Sequence, residues 1–246
     1  MRKLLSSVLW LLPLILCSCA RNNIVNLSHF DEVQPDFRRM KREGIVGVIH
    51  EATYPPRTVD FAYGSRQRAA ADAGLLWGAY HFANATDPIQ QADHFLSVVE
   101  RDWRNASSPS SGVLMVLDFE HNGHYPGGTM RVDQAVAFVK HIKARTGKYP
   151  GLYSNENRIK EVINRADPAS KRVLSQCWLW VANYHRQPSH IAPWSNWSMW
   201  QYTGDGICDL SRSSHPIHAA NVRNAERNFF KGGSARAFWI AHAWRP

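Results

Sequence analysis

Chemistry is most readily read from Asp118 and Glu120, the two acids that end the stretch VLMVLDFEH. The apolar residues before them, 113–117, suit a strand buried on both faces. Side chains alternate along a strand, so residues two apart share a face with Cα atoms ~6.5–7 Å apart, and Phe119 points the other way. Two acids this close cannot both ionise freely. The pair favours one carboxyl with a raised pKa and one that stays charged, which is what hydrolysis of a glycosidic bond asks of its acid and its charge stabiliser. A strand running into a solvated acidic loop has the same local sequence, so the surrounding elements must decide.

Those elements alternate. Apolar runs at 24–27, 46–51, 75–82, 113–117 and 151–153 are each followed by a helical pattern, near 35–43, 60–73, 87–101, 131–145 and 157–164. Asp87-Pro88 reads as a helix cap with proline in the first turn, and Gly44, Gly74 and Gly147 read as stops. Beyond 164 come two Trp-rich, strand-like segments, CWLWVANY and WSMWQYT, with no helix between them. This pattern describes an α/β barrel with an irregular last third, a fold whose chemistry sits at the C-terminal ends of its strands. Those ends offer Asn26 and Ser28, Glu51, Tyr80 and His81, Asp118 and Glu120, Tyr153, Asn183 and Tyr184, and Gln201 and Tyr202. Aromatic walls with sparse hydrogen-bonding groups suit a sugar.

With 29 Lys and Arg against 20 Asp and Glu, the chain has a formal charge of +9 and a pI near 9.6. That charge favours an anionic partner: nucleic acid, an anionic membrane or a cell-wall polymer. No long basic run or zinc-finger spacing is present, so nucleic acid is not expected. Arg2 and Lys3 followed by an apolar run over 4–16, short for a membrane span, read as a signal peptide covering 1–20, with 21–246 as the exported barrel. Leu16-Cys17-Ser18-Cys19 resembles a lipobox, which would make Cys19 the lipid-bearing first residue of an envelope-associated lipoprotein; cleavage after Ala20 would instead release a soluble periplasmic protein. Cys177 and Cys208 remain after processing, either paired or as separate buried thiols. His121 and His124 lack a third ligand at characteristic spacing, so no metal and no cofactor is expected. A monomer is expected.

The blocks IVNLSHF, GAYHFA, QADHFL, VLDFEH, TGKYPGLYS, LWVANY and MWQYT, in this order and spacing, resemble the Chalaropsis-type lysozymes, glycoside hydrolase family 25. They extend over most of the chain beyond the signal. The resemblance implies a single-domain, irregular TIM-like (β/α)5(β)3 barrel that cleaves the β-1,4 bond between N-acetylmuramic acid and N-acetylglucosamine in peptidoglycan. It also implies Glu120 as the general acid and Asp118 as support for the reaction centre, where the substrate's 2-acetamido group is a candidate nucleophile. Tyr80 and Tyr153 match family tyrosines that line the cleft. Trp200 is a candidate for sugar stacking, with burial equally open.

The sequence also departs from the family. Asn26 stands where the first strand normally ends in Asp, Tyr54 replaces an acid, and Glu51 replaces a base. A weakened peptidoglycan-binding lipoprotein is therefore the alternative reading. The family's last cleft acid, near the end of the final strand in D-x-N-x-F-x-G, matches Glu226 in ERNFFKG, followed by AFWIAHAW; Asp209 in CDLS is the second candidate. On the first alignment, 204–224 is an enlarged loop near the cleft.

Overall fold

The first two strands, β1 (Arg21–Leu27) and β2 (Gly47–Tyr54), pair in parallel and close a ring. The computed structural model describes residues 21–106 and 112–246. The expected signal peptide, with Cys19, lies outside the described residues. The ring continues through β4 (Leu76–Phe82), β5 (Val113–Asp118), β6 (Gly151–Asn155), β7 (Trp178–Ala182) and β8 (Met199–Gln201), each parallel to the strand before it in the ring. It ends in β9 (Glu226–Phe230), antiparallel to both β8 and β1, while β3 (Thr58–Val59) forms a hairpin on β2 outside the ring. The result is a closed eight-stranded barrel.

Helices follow the first five ring strands: α1 (Phe37–Arg42), α2 (Tyr63–Asp72), α3 (Pro88–Arg104), α4 (Val132–Thr146), and then α5 (Glu156–Arg158) running into a π-helical turn (Ile159–Ile163) and α6 (Pro168–Leu174). No helix separates β7, β8 and β9, so the expected five β/α units plus three strands are what forms. The caps follow local chemistry. Asp87 accepts from the N–H groups of Ile89 and Gln90 with Pro88 in the first turn, and Gly147 ends α4 at φ 74°, a left-handed conformation that costs glycine little.

Two apolar layers result. Outward-facing strand residues pack under the helices around Phe95, Phe119 and Phe138, while Ile24, Ile49, Leu114, Val116, Trp180 and Met199 fill the barrel. The helix α7 (Ala235–His242) closes the end where the strands begin: Trp239 is fully buried, donates to the Trp77 carbonyl at 2.8 Å, and lies so close to Gly47 that a Cβ there would sit 3.1 Å from the indole. With that end plugged, the barrel opens only where the parallel strands finish. The loop over 204–224 is large, as expected, but most of it covers the outside of β8 and β9, where Tyr202 donates to the Pro216 carbonyl and His215 packs on Trp200 and Phe229. It takes the place of the missing helices. Cys177 and Cys208 are both buried and free. Among the described residues, no helix is long and apolar enough to cross a membrane.

Candidate active site

Strand β5 is buried along its whole length and delivers Asp118 at its last position, 6% exposed, with Glu120 two residues on and half-buried at the mouth. Phe119 faces outward into the helical layer. Its N–H donates to the Tyr153 carbonyl at 2.9 Å, and its carbonyl accepts from Ser154 Oγ at 2.8 Å and Arg158 Nε at 3.1 Å. The Arg158 guanidinium also lies 4.2 Å from the Phe119 ring and donates to the Met130 carbonyl. The backbone between the acids is thus clamped, and the alternation expected from sequence is held in place.

Burial is the main cause of the raised pKa of both acids. Asp118 stands well above the usual range, pushed first by desolvation and then by the charges of Glu120, Glu51 and Glu226, with Arg158 pulling the other way; its Oδ1 is buried without a hydrogen-bond partner. Glu120 is raised by burial and by Asp205, against a 3.3 Å hydrogen bond from Asn155 Nδ2 and the Arg158 charge. Where the sequence suggests one raised and one ordinary acid, desolvation raises both.

Opposite the pair, inward-facing polar groups bond to one another. Asn26 donates to the Glu226 carboxylate and accepts from Asn228 Nδ2 at 2.9 Å; Trp180 Nε1 donates to Asn228 Oδ1 at 2.7 Å. The Tyr153 hydroxyl donates to Gln201 Oε1, to which the Tyr184 hydroxyl also donates at 3.3 Å. Burial raises Glu226 to about 8, helped by the charges of Asp31 and Asp205 and opposed by the Asn26 hydrogen bond. Glu226 opens β9 instead of ending it. Because β9 runs antiparallel, its first residue lies beside Asn26 at the same mouth. Gly204 lies over this carboxylate, where a Cβ would meet the Tyr184 hydroxyl at 2.3 Å.

The remaining arc holds Glu51 and Tyr80. Burial and the charges of Glu51, Glu226 and Asp118 hold the Tyr80 phenol well above its ordinary pKa, so it stays protonated. Glu51 is 3% exposed and meets His29 Nδ1 at 3.0 Å; His29 also lies 3.1 Å from Asp60 and stacks on Tyr54.

Two expected site residues lie elsewhere. Trp200 belongs to the outward face of β8, where its Nε1 donates to the Asn183 carbonyl at 2.8 Å among Trp197, Tyr202 and Phe229; alternation gives the inward face to Met199 and Gln201. Asp209 is exposed and paired with the exposed His185, so Glu226 is the acid inside the mouth. His81 points outward, between Thr53 and Gln91. Asn155, Arg158, Asn228, Asp60 and Asp205 join the site although the sequence does not single them out. Asn155 was findable, since it lies two residues beyond Tyr153 on the same strand face. Asn228 shares the ERNFF block with Glu226 by the same rule. Nothing in the sequence marks the others.

The family model "Glycosyl hydrolases family 25" matches residues 25–209. Lysozyme M1 of Streptomyces globisporus is 25% identical over 230 residues, covering 89% of this chain and 70% of that protein. YegX of Escherichia coli, an uncharacterised protein, is 29% identical over 65% of this chain, which spans about half (53%) of its length. Among solved structures, a bacterial lysozyme from Streptomyces coelicolor superposes with a TM-score of 0.66 at 26% identity, covering 88% of this chain and 95% of that one. A muramidase from Trichobolus zukalii has the same TM-score at 20% identity, covering 88% and 97%, and supports the fold alone. A mouth of acids on the barrel strands, a family match over most of the chain and these relatives lead to one conclusion: the chain belongs to glycosyl hydrolase family 25 and is a glycoside hydrolase.

Proposed function

We propose that this protein is a muramidase that hydrolyses the β-1,4 bond between N-acetylmuramic acid and N-acetylglucosamine in peptidoglycan. The observation that carries the reading is Glu120, half-buried at the open end of the barrel with a raised pKa, two residues from the buried Asp118. Glu120 protonates the leaving oxygen; Asp118 orients the substrate's 2-acetamido group for attack and stabilises the oxocarbenium-like state. Developing positive charge on the sugar favours an ionised Asp118, the form that stabilises it. Tyr80 and Tyr153 line the reacting sugar's site, and Asn26 and Glu226 bind substrate from the far wall.

The test is digestion of peptidoglycan by purified protein, with reduced products analysed by mass spectrometry and Glu120→Gln alongside. New reducing-end muramic acid from the wild type alone is the expected result. Binding without products would favour a weakened peptidoglycan binder, a reading supported by the neutral amide at Asn26. A covalent sugar adduct on Asp118 would overturn the substrate-assisted step while leaving the muramidase reading intact. We read residues 1–20 as an export signal that places the enzyme in the cell envelope, tethered by a lipid on Cys19 or released after Ala20. The mass of the mature N-terminal peptide distinguishes the two.

A further inference from the structure

His29, Glu51 and Asp60 come from three separate segments: the loop after β1, strand β2 and the turn after β3. Each offers a donor atom within 4.8 Å of the others. Glu51 and Asp60 are 3% and 1% exposed, and His29 Nδ1 lies 3.0 Å from Glu51 Oε2 and 3.1 Å from Asp60 Oδ2. A ring nitrogen carries one hydrogen at most. The hydrogen-bond geometry directs it at Asp60, and Glu51 Oε2 is left buried with no hydrogen-bond partner. Asp60 is fixed independently by the backbone N–H groups of His29 and Ala62, each at 2.8 Å. The charge of Arg66 reaches Asp60, but its hydrogen bonds go to the carbonyls of Ser28, Asp31 and Val33 and to His50. Two buried carboxylates therefore face the His29 imidazole, with His50 Nδ1 also 3.9 Å from Asp60, and among the described residues no Lys or Arg is bonded to either of them.

We propose that His29, Glu51 and Asp60 form a binding site for a divalent transition-metal ion of the Zn2+ or Mn2+ class. Bonds of about 2.0–2.2 Å from one ion place its donors about 3.0–3.5 Å apart, the separation found between the imidazole nitrogen and each oxygen. One imidazole nitrogen with two carboxylate oxygens suits a borderline ion better than Ca2+ or Mg2+, which prefer all-oxygen shells. The imidazole is braced by aromatic contacts, since Tyr54 stacks on His29 at 4.9 Å and Phe30 contacts it at 4.2 Å. The His29 side chain is 15% exposed, which gives the ion a way in from solvent. Occupancy reaches the reaction centre through Glu51, whose charge bears on Asp118.

Chelator-treated wild type, His29→Gln and Glu51→Gln are titrated with ZnCl2 and, separately, MnCl2 by calorimetry, with Tm followed in parallel. Expected is one equivalent bound by the wild type, a Tm that rises with metal by mass action, and at least about tenfold weaker binding by both variants. If the wild type binds no stoichiometric metal, the proposal falls and His29 is a proton-bearing bridge between the acids. Binding unchanged by both substitutions overturns it too and moves the ion to surface histidines. Should the variants fail to fold, X-ray absorption of the zinc-loaded wild type decides: a mixed shell of one nitrogen and two carboxylate oxygens supports the site, and a shell of imidazoles alone overturns it.

Discussion

The two sides of the barrel mouth are built differently. On the β5–β6 side, Asp118 and Glu120 are neighbours in one chain segment, aimed by strand alternation and clamped through Phe119 by Ser154 and Arg158. On the β9–β1–β2 side, Asn26, Glu51 and Glu226 lie far apart in sequence and meet only when the barrel closes, with His29 and Asp60 arriving from loops. The first side has the proposed reacting pair in a rigid frame. The second sets the charge around it, and here Asn26, Glu51 and Tyr54 stand where the family resemblance leads one to expect an acid, a base and an acid. A local frame can keep its chemistry while the field from the opposite wall changes.

The largest expected effects break the β5–β6 side. Glu120→Gln removes the transferable proton and lowers kcat by about three orders of magnitude, with the fold kept because among the described residues the side chain makes only the Asn155 hydrogen bond. In the wild type, the rate should fall as pH rises through the raised pKa of Glu120, because the acid must be protonated to act. A pH profile without that descending limb would contradict the assignment. Asp118→Asn lowers kcat by about two orders of magnitude yet raises Tm at pH 8, because it replaces a buried carboxyl that has an unpartnered oxygen. Steady-state rates and calorimetric Tm on the same preparation test both signs.

That contrast also explains what can be read from the sequence. The D-x-E pair, the inward Tyr153 and the five strand-helix units depend on alternation and caps within a few residues, so they are legible. The hairpin strand β3 follows only from the assembled fold, whereas helix α6 carries in Asp167-Pro168 the same cap signal as α3. Trp200 reads as a candidate sugar-stacking surface because Trp-rich strands do not show which face is inward until a register is known. Glu226 is picked out by its block, but the block suggests the end of a strand where the chain has the beginning of one, since nothing local tells that β9 runs antiparallel. The pairing of His29 with Asp60, 31 residues apart, leaves no trace in spacing.

The opposite wall is tested by charge. Glu226 has a folded pKa of about 8 against an ordinary 4.5, so the fold favours its protonated form. An acid shifted upward destabilises once it must ionise: stability is highest below the unfolded pKa and is lost as pH rises from about 4.5 to about 8. Glu226→Gln should remove that part of the slope, read from Tm between pH 4 and 9. Asn26→Asp sets a second carboxyl against the first and should cost about 1–2 kcal/mol at pH 8. In the double variant with Glu226→Gln that cost should largely vanish. An additive cycle would show that the two side chains do not act as a unit.

The smallest effects are expected outside the mouth, and they sharpen the comparison by bounding it. Asp209→Ala loses only an exposed pair with His185, so neither Tm nor kcat/KM should change measurably. Trp200→Phe forfeits the hydrogen bond to the Asn183 carbonyl and part of a packed ring, and should destabilise by about 1–2 kcal/mol. KM for soluble peptidoglycan fragments should nevertheless stay within about twofold, because the indole faces the layer beneath the 204–224 loop and not the glycan. A rise in KM without loss of Tm would return Trp200 to the substrate, and would mean that the outer face of β8 takes part in binding as well as the barrel mouth.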